Sequence, residues 1–329
     1  MTNTSATAES TEVTSRRPHP TETKPLERSA FYQLKSRRTL ATLLGISLPQ
    51  LELLARDADS LYTRRLAKKR SVQVPKGALR RVHVRIFELL RRIETPDYLH
   101  SGIRSRSYVT NAASHATGSW IGKLDIKSFF PSVKRPAIFR FFRDRMHCSP
   151  DVADRLASLC TCDGVVPTGS PISQSLAFWA HEHDFSTIAR HASQRGLRMT
   201  LYVDDIGLSG PSGVRSMLRF AEKCLERRGL QAHKVRLVRP GRTIVLTGVA
   251  IIPKGLRLPN RRRVALARDL QALRTLPSEP GETQSELLKT VVGRCYEAAQ
   301  FEPKYARLAR RIAAKSSATA VCKPHSERI

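Results

Sequence analysis

Acidic residues are scarce in this 329-residue sequence, where 28 Asp and Glu stand against 57 Lys and Arg and the formal net charge is +29. Long apolar runs are missing too, because no segment approaches the roughly 20 residues of a membrane-spanning helix. No apolar segment near the first residue has the pattern of a secretory signal peptide. We therefore expect a cytoplasmic protein with no membrane partner. The excess of positive charge favours a polyanion, most often a nucleic acid, as its partner.

Cysteine is equally sparse, with six residues in the whole sequence and no CxxC spacing. The CTC segment at 160–162 lacks the second ligand pair that a tetrahedral zinc site requires. Buried free thiols in a reducing compartment are the favoured interpretation. Hydrophobic residues make up 40% and charged residues 26% of the sequence, which is typical of a folded globular protein.

Local patterns indicate an α+β protein in which a small sheet packs against helices. Residues 1–28 are rich in Ser, Thr and Glu without apolar periodicity, and we expect a disordered N-terminal arm there. Leucines at helical spacing follow, with Ser47 a candidate N-cap, and a strand is expected to end at Pro75. Further strands are expected at 121–126, 199–203, 206–209 and 243–252, and further helices at 79–93, 134–145, 150–160, 173–193, 212–228, 262–276 and 284–312.

Two aspartates, Asp204 and Asp205, lie side by side in the apolar run LYVDDIGLSG, where a strand would favour Val and Ile. A third, Asp125, ends the strand pattern in WIGKLDIKSFFPSV. If a hairpin turns at the aspartate pair and its strands pair beside the Asp125 strand, three carboxylates meet in one place. A bare Asp-Asp pair is more often only a turn, but this pair stands in an apolar setting.

Such a cluster of carboxylates favours bound cations. Two carboxylates ~4 Å apart repel by roughly 4 kcal/mol at an effective dielectric constant near 20. Oxygen-only ligands with high negative charge select Mg²⁺, with Mn²⁺ able to substitute. Two such ions suit an in-line displacement at phosphorus, because one activates the attacking hydroxyl and the other supports the leaving group.

The segments around these aspartates resemble those of reverse transcriptases. YVDD at 202–205 resembles the signature of that superfamily, and LDIKSFFPSV at 124–133 resembles its first palm aspartate segment. PTGSPISQSLA at 167–177 is similar to the Gly- and Ser-containing segment between the two. NAASH at 111–115 and LTG at 246–248 are similar to elements typical of bacterial retron reverse transcriptases.

The resemblance implies a right-hand polymerase fold with fingers, palm and thumb. It divides the chain after the disordered arm into a helical lead-in at 29–60 and fingers with part of the palm at 61–120. The palm, a small antiparallel sheet packed on helices with inserted fingers helices, is expected at 121–252. A helical thumb and a basic C-terminal tail are expected at 253–329.

The resemblance also implies roles for individual residues. Asp125, Asp204 and Asp205 would be the catalytic residues and the metal ligands. The candidate nucleotide contacts are Lys69, Arg70, Phe129, Gly169, Ser173 and Lys234, and the candidate RNA contacts are Asn111, His115, Thr247, Gly248, Arg294, Arg307 and Arg310. The ring of Phe129 would exclude a 2′-hydroxyl, but a core position would explain it as well, and buried hydrogen bonding is an equal alternative for Asn111 and His115.

The implied function is that of an RNA-directed DNA polymerase that uses two Mg²⁺ ions. A retron enzyme copies part of a structured noncoding RNA, starting from a guanosine 2′-hydroxyl, into a covalently linked RNA–DNA hybrid. Its partners would be that RNA, the DNA product, deoxynucleoside triphosphates and a separate effector protein in defence against phage. Two alternatives stay open: another bacterial reverse transcriptase, of the group II intron or abortive-infection type, and a polymerase-like protein that binds RNA without synthesis.

Overall fold

A computed structural model of the chain describes residues 23–67, 70–115, 118–275 and 282–321. Most of the predicted N-terminal arm, residues 1–22, lies outside these ranges. The prediction was wrong for the end of the arm, because Leu26–Arg28 forms a short 3₁₀ helix and Lys24 pairs with Ile93 in a parallel bridge.

Helices make up most of the described secondary structure. They are α1 (Arg37–Leu44), α2 (Leu48–Arg56), α3 (Gly77–Leu90), α4 (Tyr108–Ala113), α5 (Phe129–Ser132), α6 (Arg135–Arg140), α7 (Pro150–Leu159), α8 (Ser173–Ala180), α9 (Glu182–Ser193), α10 (Val214–Glu226), α11 (Asn260–Thr275), α12 (Glu282–Ala299) and α13 (Lys304–Val321). The predicted N-cap of α2 is confirmed, since Ser47 and Gln50 exchange hydrogen bonds in a capping box. None of the helices within the described ranges combines the length and the apolar character needed to cross a membrane.

The strands form three antiparallel sheets. They are β1 (Tyr62–Ala67), β2 (Arg70–Pro75), β3 (Trp120–Ile126), β4 (Arg198–Tyr202), β5 (Asp205–Gly210), β6 (Ala232–Val238), β7 (Ile244–Leu246), β8 (Val249–Ile252) and β9 (Gly255–Arg257). A hairpin joins β1 and β2, a central sheet has the order β4-β5-β3-β6, and a small sheet has the order β7-β8-β9. The predicted α+β class, with a small antiparallel sheet against helices, is confirmed, while the division into fingers, palm and thumb stays a prediction.

The central sheet is covered on both faces. On one face, Leu124, Ile206 and Leu208 belong to the main core, which α9 and α10 complete. On the other face, Ile121 packs with Ala112 of α4 and with apolar residues of β7 and β8. Because both faces are covered, the polar side chains lie at the end of the sheet, where β3 ends and a turn joins β4 to β5.

Three predicted elements are divided in the structure. The helix expected at 173–193 breaks at His181 into α8 and α9. The strand expected at 243–252 is a hairpin, because Thr247 and Gly248 adopt φ values of 47° and 84° and turn the chain. The helix expected at 284–312 is α12 followed by α13, and Pro303 stands between them where it cannot continue a helix.

The close fit of α10 on the sheet depends on Gly122. A Cβ at that position would lie 2.8 Å from side-chain carbons of Val214 and Leu218, so we expect Gly122→Ala to lower the free energy of unfolding by about 1–3 kcal/mol through overpacking. Urea denaturation measures the change. Gly293→Ala is the matched control, because nothing lies within 4 Å of that helical glycine and the variant should be slightly more stable. Equal stability of Gly122→Ala and the parent would contradict this packing.

Candidate active site

The three aspartates singled out in the sequence meet at one end of the central sheet. Asp125 and Asp205 are direct partners across β3 and β5. Asp204 lies in the two-residue loop between β4 and β5, and its carbonyl oxygen accepts a hydrogen bond of 2.9 Å from the backbone N–H of Ile126. The strand pairing therefore brings together carboxylates that are far apart in sequence.

The loop that carries Asp204 is held in an unusual conformation. Val203 has a φ of 58°, which a β-branched residue adopts only at a cost of about 1–3 kcal/mol. Its backbone N–H donates to Ser101 Oγ at 2.9 Å. Beside it, Leu201 exchanges backbone hydrogen bonds with Tyr98 and His100. The segment 98–101 thus fixes the outer strand and the turn together.

Burial and mutual repulsion act on the carboxyl groups of this site. Burial, followed by repulsion from Asp125 and Asp205 and a hydrogen bond with Asp125, raises the pKa of Asp204 to about 6. Burial also raises the pKa of Asp205, with Asp125 adding to the effect and Lys123 and Lys234 opposing it. The cluster is thus unfavourable in its fully ionised form unless positive charge is added.

Lys234 supplies part of that positive charge. Its Nζ lies 3.1 Å from Asp125 Oδ2, and 63% of the lysine side chain is exposed. The pairing of β3 with β6 shifts register between Lys123 and Asp125, and Lys234 has a φ of 49°. An ion pair this exposed contributes about 0–1 kcal/mol, so the ammonium group is free to exchange Asp125 for another anion.

Three carboxylates are the donor set that hard divalent cations prefer. A second group in the described ranges consists of Asp59, Cys162 and Asp163, whose ligand atoms all lie within 4.8 Å of one another. The negative charge of that second group is already partly neutralised by a side chain, because the Arg64 guanidinium donates to both Asp163 oxygens at 2.8 and 3.3 Å. The aspartates of the central sheet have an exposed ion pair with Lys234 and the charge of Lys123 nearby, but no bidentate guanidinium among the described residues, so they fit a metal ion better.

The predicted sugar contact of Phe129 is not compatible with its position. Phe129 is only 4% exposed and its ring centroid lies 6.3 Å from that of Phe185 in the core. The neighbouring Phe130 is partly exposed. Phe129 therefore occupies the core position that was left open as its alternative, whereas Phe130, five residues after Asp125 in sequence, keeps an accessible surface.

Gly169 and Ser173 both make close contacts with other parts of the protein. A Cβ on Gly169 would lie 2.7–2.8 Å from Val72, Gln73 and Val74 of β2, so this glycine allows the β1–β2 hairpin to approach. The hydroxyl of Ser173 is buried and donates to the carbonyl oxygens of Pro167 and Ser170. Ser173 is buried and offers no surface to a nucleotide, which corrects that prediction. Gly169 is only partly buried, so its predicted contact stays a prediction.

The remaining nucleotide candidates lie in the β1–β2 hairpin. Arg70 is exposed and begins β2 opposite Ala67. Lys69 lies outside the described residues. Their predicted contacts to a triphosphate stay predictions.

Asn111 and His115 are fully buried, so buried hydrogen bonding is the correct alternative for them, and their predicted side-chain contacts to RNA were wrong. Asn111 Nδ2 donates to Thr247 Oγ1 at 3.3 Å, and that hydroxyl donates to the carbonyl oxygen of Tyr108 at 3.0 Å. The imidazole of His115 lies between two hydroxyl groups of the β4–β5 hairpin. Burial lowers the pKa of His115 to about 3.

The other RNA candidates divide into packed and exposed residues. A Cβ on Gly248 would lie 2.5 Å from the guanidinium of Arg262, and Arg294 is ion-paired with Asp269 inside the C-terminal helices. Gly248 and Arg294 thus have partners within the protein, and Thr247 is hydrogen-bonded to Asn111 and Tyr108. The predicted RNA contacts of these three residues stay predictions. Arg307 and Arg310 are exposed on α13 and remain available to a polyanion.

Sequence reasoning missed two residues that shape the site. Lys123 on β3 lowers the pKa of Asp205, and Ser101 accepts the hydrogen bond that holds the Val203 turn. Lys123 could have been found by strand alternation, since it lies two residues before Asp125 and therefore on the same face. The contact of Ser101 is not visible in the sequence.

The site is a cluster of three acidic side chains at the end of an antiparallel sheet, and the chain that carries it is similar to several known proteins. No family model matches the chain. It is 28% identical over 185 residues to the retron Se72 reverse transcriptase of Salmonella heidelberg (strain 579083-10), covering 54% of this chain and 49% of that protein. It is 32% identical over 116 residues to the retron Ec48 reverse transcriptase of Escherichia coli, covering 34% and 28%.

A third relative is the retron Mx162 reverse transcriptase of Myxococcus xanthus, 22% identical over 271 residues, with 70% of this chain and 56% of that protein covered. The chain is thus a homologue of retron reverse transcriptases, and the resemblance seen in its motifs is confirmed. The matches span less than two thirds of these relatives. A solved structure of a foamy viral protease-reverse transcriptase with double-stranded DNA covers 91% of this chain and 46% of its own at 11% identity, with a TM-score of 0.44, too low to assign a fold.

Repulsion at Asp204 predicts how stability depends on pH when no divalent cation is present. Because burial and repulsion raise the pKa of Asp204 to about 6 in the folded protein, the contribution of this residue to stability is fully present below about pH 4, the ordinary Asp range, and is lost as pH rises through 6. Asp204→Asn removes this loss. In EDTA, we expect the variant to gain on the order of 1 kcal/mol over the parent between these pH values, after allowance for solvent screening. A stability difference that stays constant from pH 4 to 7 in urea denaturation would contradict the repulsion.

Proposed function

We propose that the chain is an RNA-directed DNA polymerase of the retron type. The observation that carries the proposal is the meeting of Asp125, Asp204 and Asp205 at the end of β3 and the β4–β5 turn. The names of its relatives support the choice of retron enzymes over other bacterial reverse transcriptases. The proposed product is an RNA–DNA hybrid copied from a structured noncoding RNA and primed by a guanosine 2′-hydroxyl, and the proposed setting is antiphage defence with a separate effector protein.

The carboxylates of Asp125, Asp204 and Asp205 would hold two Mg²⁺ ions, for which Mn²⁺ could substitute. When bound, such ions activate a 3′-hydroxyl and neutralise a leaving pyrophosphate. The burial of Asp204 and Asp205 limits the access of water, which strengthens their interaction with a cation.

Lys234 is placed to act on the leaving group. Its Nζ is within 3.1 Å of Asp125 Oδ2 and is largely exposed, so it can turn to a phosphate oxygen once Asp125 is neutralised. There it would add a positive charge or transfer a proton. The template and the incoming nucleotide would be gripped by exposed basic residues, among them Arg70, Arg307 and Arg310.

The three carboxylates can be tested directly. Asp204→Asn should lower primer extension on an RNA template with Mg²⁺ by roughly 10³-fold, because several kcal/mol of charge stabilisation is lost. RNA affinity should stay unchanged in a filter-binding assay. Asp97→Asn is the matched control, since the Asp97 side chain is fully exposed and pairs with Arg106, and the variant should extend primers like the parent. Normal extension by Asp204→Asn would refute the metal assignment, and a parent that binds RNA but never extends primers would favour an RNA-binding protein.

The corrected position of the aromatic ring gives a second test. We propose that Phe130 presents its ring to the sugar of the incoming nucleotide and disfavours a 2′-hydroxyl. Phe130→Ala should then raise the ratio of ribonucleotide to deoxyribonucleotide incorporation by about tenfold or more, the value of roughly 1–3 kcal/mol of pocket discrimination. Phe129→Ala should instead destabilise the fold by about 3–5 kcal/mol without changing that ratio. A change of ratio in Phe129→Ala alone would reverse the two assignments.

A further inference from the structure

His115 forms a bridge between the two strands that carry the aspartate pair. Its Nδ1 lies 2.7 Å from Ser209 Oγ on β5, and its Nε2 lies 2.8 Å from Thr200 Oγ1 on β4. The residue is fully buried and stays neutral at pH 7 because burial lowers its pKa to about 3. One ring nitrogen therefore donates to a hydroxyl and the other accepts from one.

The hairpin is shaped to receive this ring. Gly207 is the partner of Thr200 across β4 and β5, and a Cβ on Gly207 would lie 2.7 Å from His115 Nε2. Alternation along β5 places Gly207 and Ser209 on the same face as Asp205. The imidazole thus lies on the face from which the Asp205 side chain projects.

The strand β4, which His115 binds through Thr200, is restrained on its outer side by the segment 98–101. β4 is at the edge of the central sheet, and beyond it Tyr98 and His100 contribute the backbone hydrogen bonds to Leu201. The turn that follows contains the strained Val203. A cross-link between Thr200 and Ser209 therefore opposes any slip or opening of β4 against β5 that would relieve the turn.

The short helix α4, which ends two residues before His115, contacts the C-terminal half of the chain. Asn111 on α4 bonds Thr247 in the β7–β8 turn, and Gln300 after α12 donates to the Tyr108 hydroxyl at 3.0 Å. The segment from Tyr108 to His115 thus connects the catalytic hairpin with the elements that follow it in sequence.

We infer that His115 is a positioning residue, which holds β4 and β5 together so that Asp204 and Asp205 face Asp125 at the separation that a bound divalent cation requires. This inference rests on the proposed function, and it replaces the predicted RNA contact of His115. His115 touches no substrate; it acts through the Thr200 and Ser209 hydroxyls on the geometry of the aspartate pair.

The experiment measures Mn²⁺ binding to the full chain without nucleic acid, by electron paramagnetic resonance of free Mn²⁺, together with thermal unfolding. His115→Leu removes both hydrogen bonds and should weaken Mn²⁺ binding on the order of tenfold, as loss of a residue that orients ligands does. His115→Gln, whose amide offers one donor and one acceptor, should restore most of the affinity. If His115 only stabilised the fold, His115→Leu and His115→Gln with equal melting temperatures would also bind Mn²⁺ equally well.

His83→Leu is the matched control. His83 is also fully buried, and it bonds Ser170 Oγ at 2.6 Å and the Leu159 carbonyl oxygen at 2.7 Å, away from the hairpin. It should lower the melting temperature by a similar amount and leave Mn²⁺ affinity unchanged. If His115→Leu does not fold, Thr200→Val and Ser209→Ala each remove one of the two bonds and should each weaken Mn²⁺ binding severalfold.

Parental Mn²⁺ affinity in folded His115→Leu, or in both hydroxyl variants, would overturn the positioning role. Primer extension by the parent separates this result from failure of the proposed function. If the parent extends primers and His115→Leu binds Mn²⁺ normally, only the inference about His115 is wrong. If the parent neither binds Mn²⁺ nor extends primers, both fail.

Discussion

The mutual repulsion of three carboxylates is the constraint on which this structure depends. Asp125 and Asp205 face each other across paired strands, and Asp204 occupies the adjoining turn. Burial and repulsion together raise the pKa of Asp204 to about 6. A fold that only needed stability would not keep such a cluster, because a neutral residue at any of the three positions would relieve it. We propose that divalent cations make the arrangement favourable when they occupy it.

Because the cluster and its turn are both unfavourable, the surrounding residues have to hold them in place. Ser101 accepts the hydrogen bond of the strained Val203, and His115 joins the two strands behind the turn. Gly122 and Gly207 let α10 and the His115 ring approach opposite faces of the sheet. The residues that support the site are thus small or buried and lie outside the YVDD segment, yet they determine where its carboxylates point.

Three of the central strands, β3, β4 and β5, and the aspartates at their ends could be predicted from the sequence because strand alternation and apolar runs are local signals. The orientation of the aromatic pair could not. Ser128 adopts a φ of 48° just before the short helix α5, which sends Phe129 into the core and leaves Phe130 at the surface. No sequence pattern predicts that a residue other than glycine adopts a positive φ.

Other errors came from contacts that are remote in sequence. Gly169 correctly indicates a close approach, but only the fold shows that the approaching chain is β2. Asn111 and His115 are polar, and their burial depends on hydroxyl partners far along the chain. β1 and β6 were not predicted, because both are largely exposed and lack apolar alternation. Exposed strands of this kind are stabilised by pairing with a neighbouring strand, which a single segment does not reveal.

Anomalous diffraction from crystals of the full chain soaked in Mn²⁺ tests the central claim most directly. We expect two peaks among the carboxylates of Asp125, Asp204 and Asp205, with Lys234 withdrawn from Asp125. Peaks only at the Asp59, Cys162 and Asp163 group, or no peak beside the three aspartates at saturating Mn²⁺, would contradict the account.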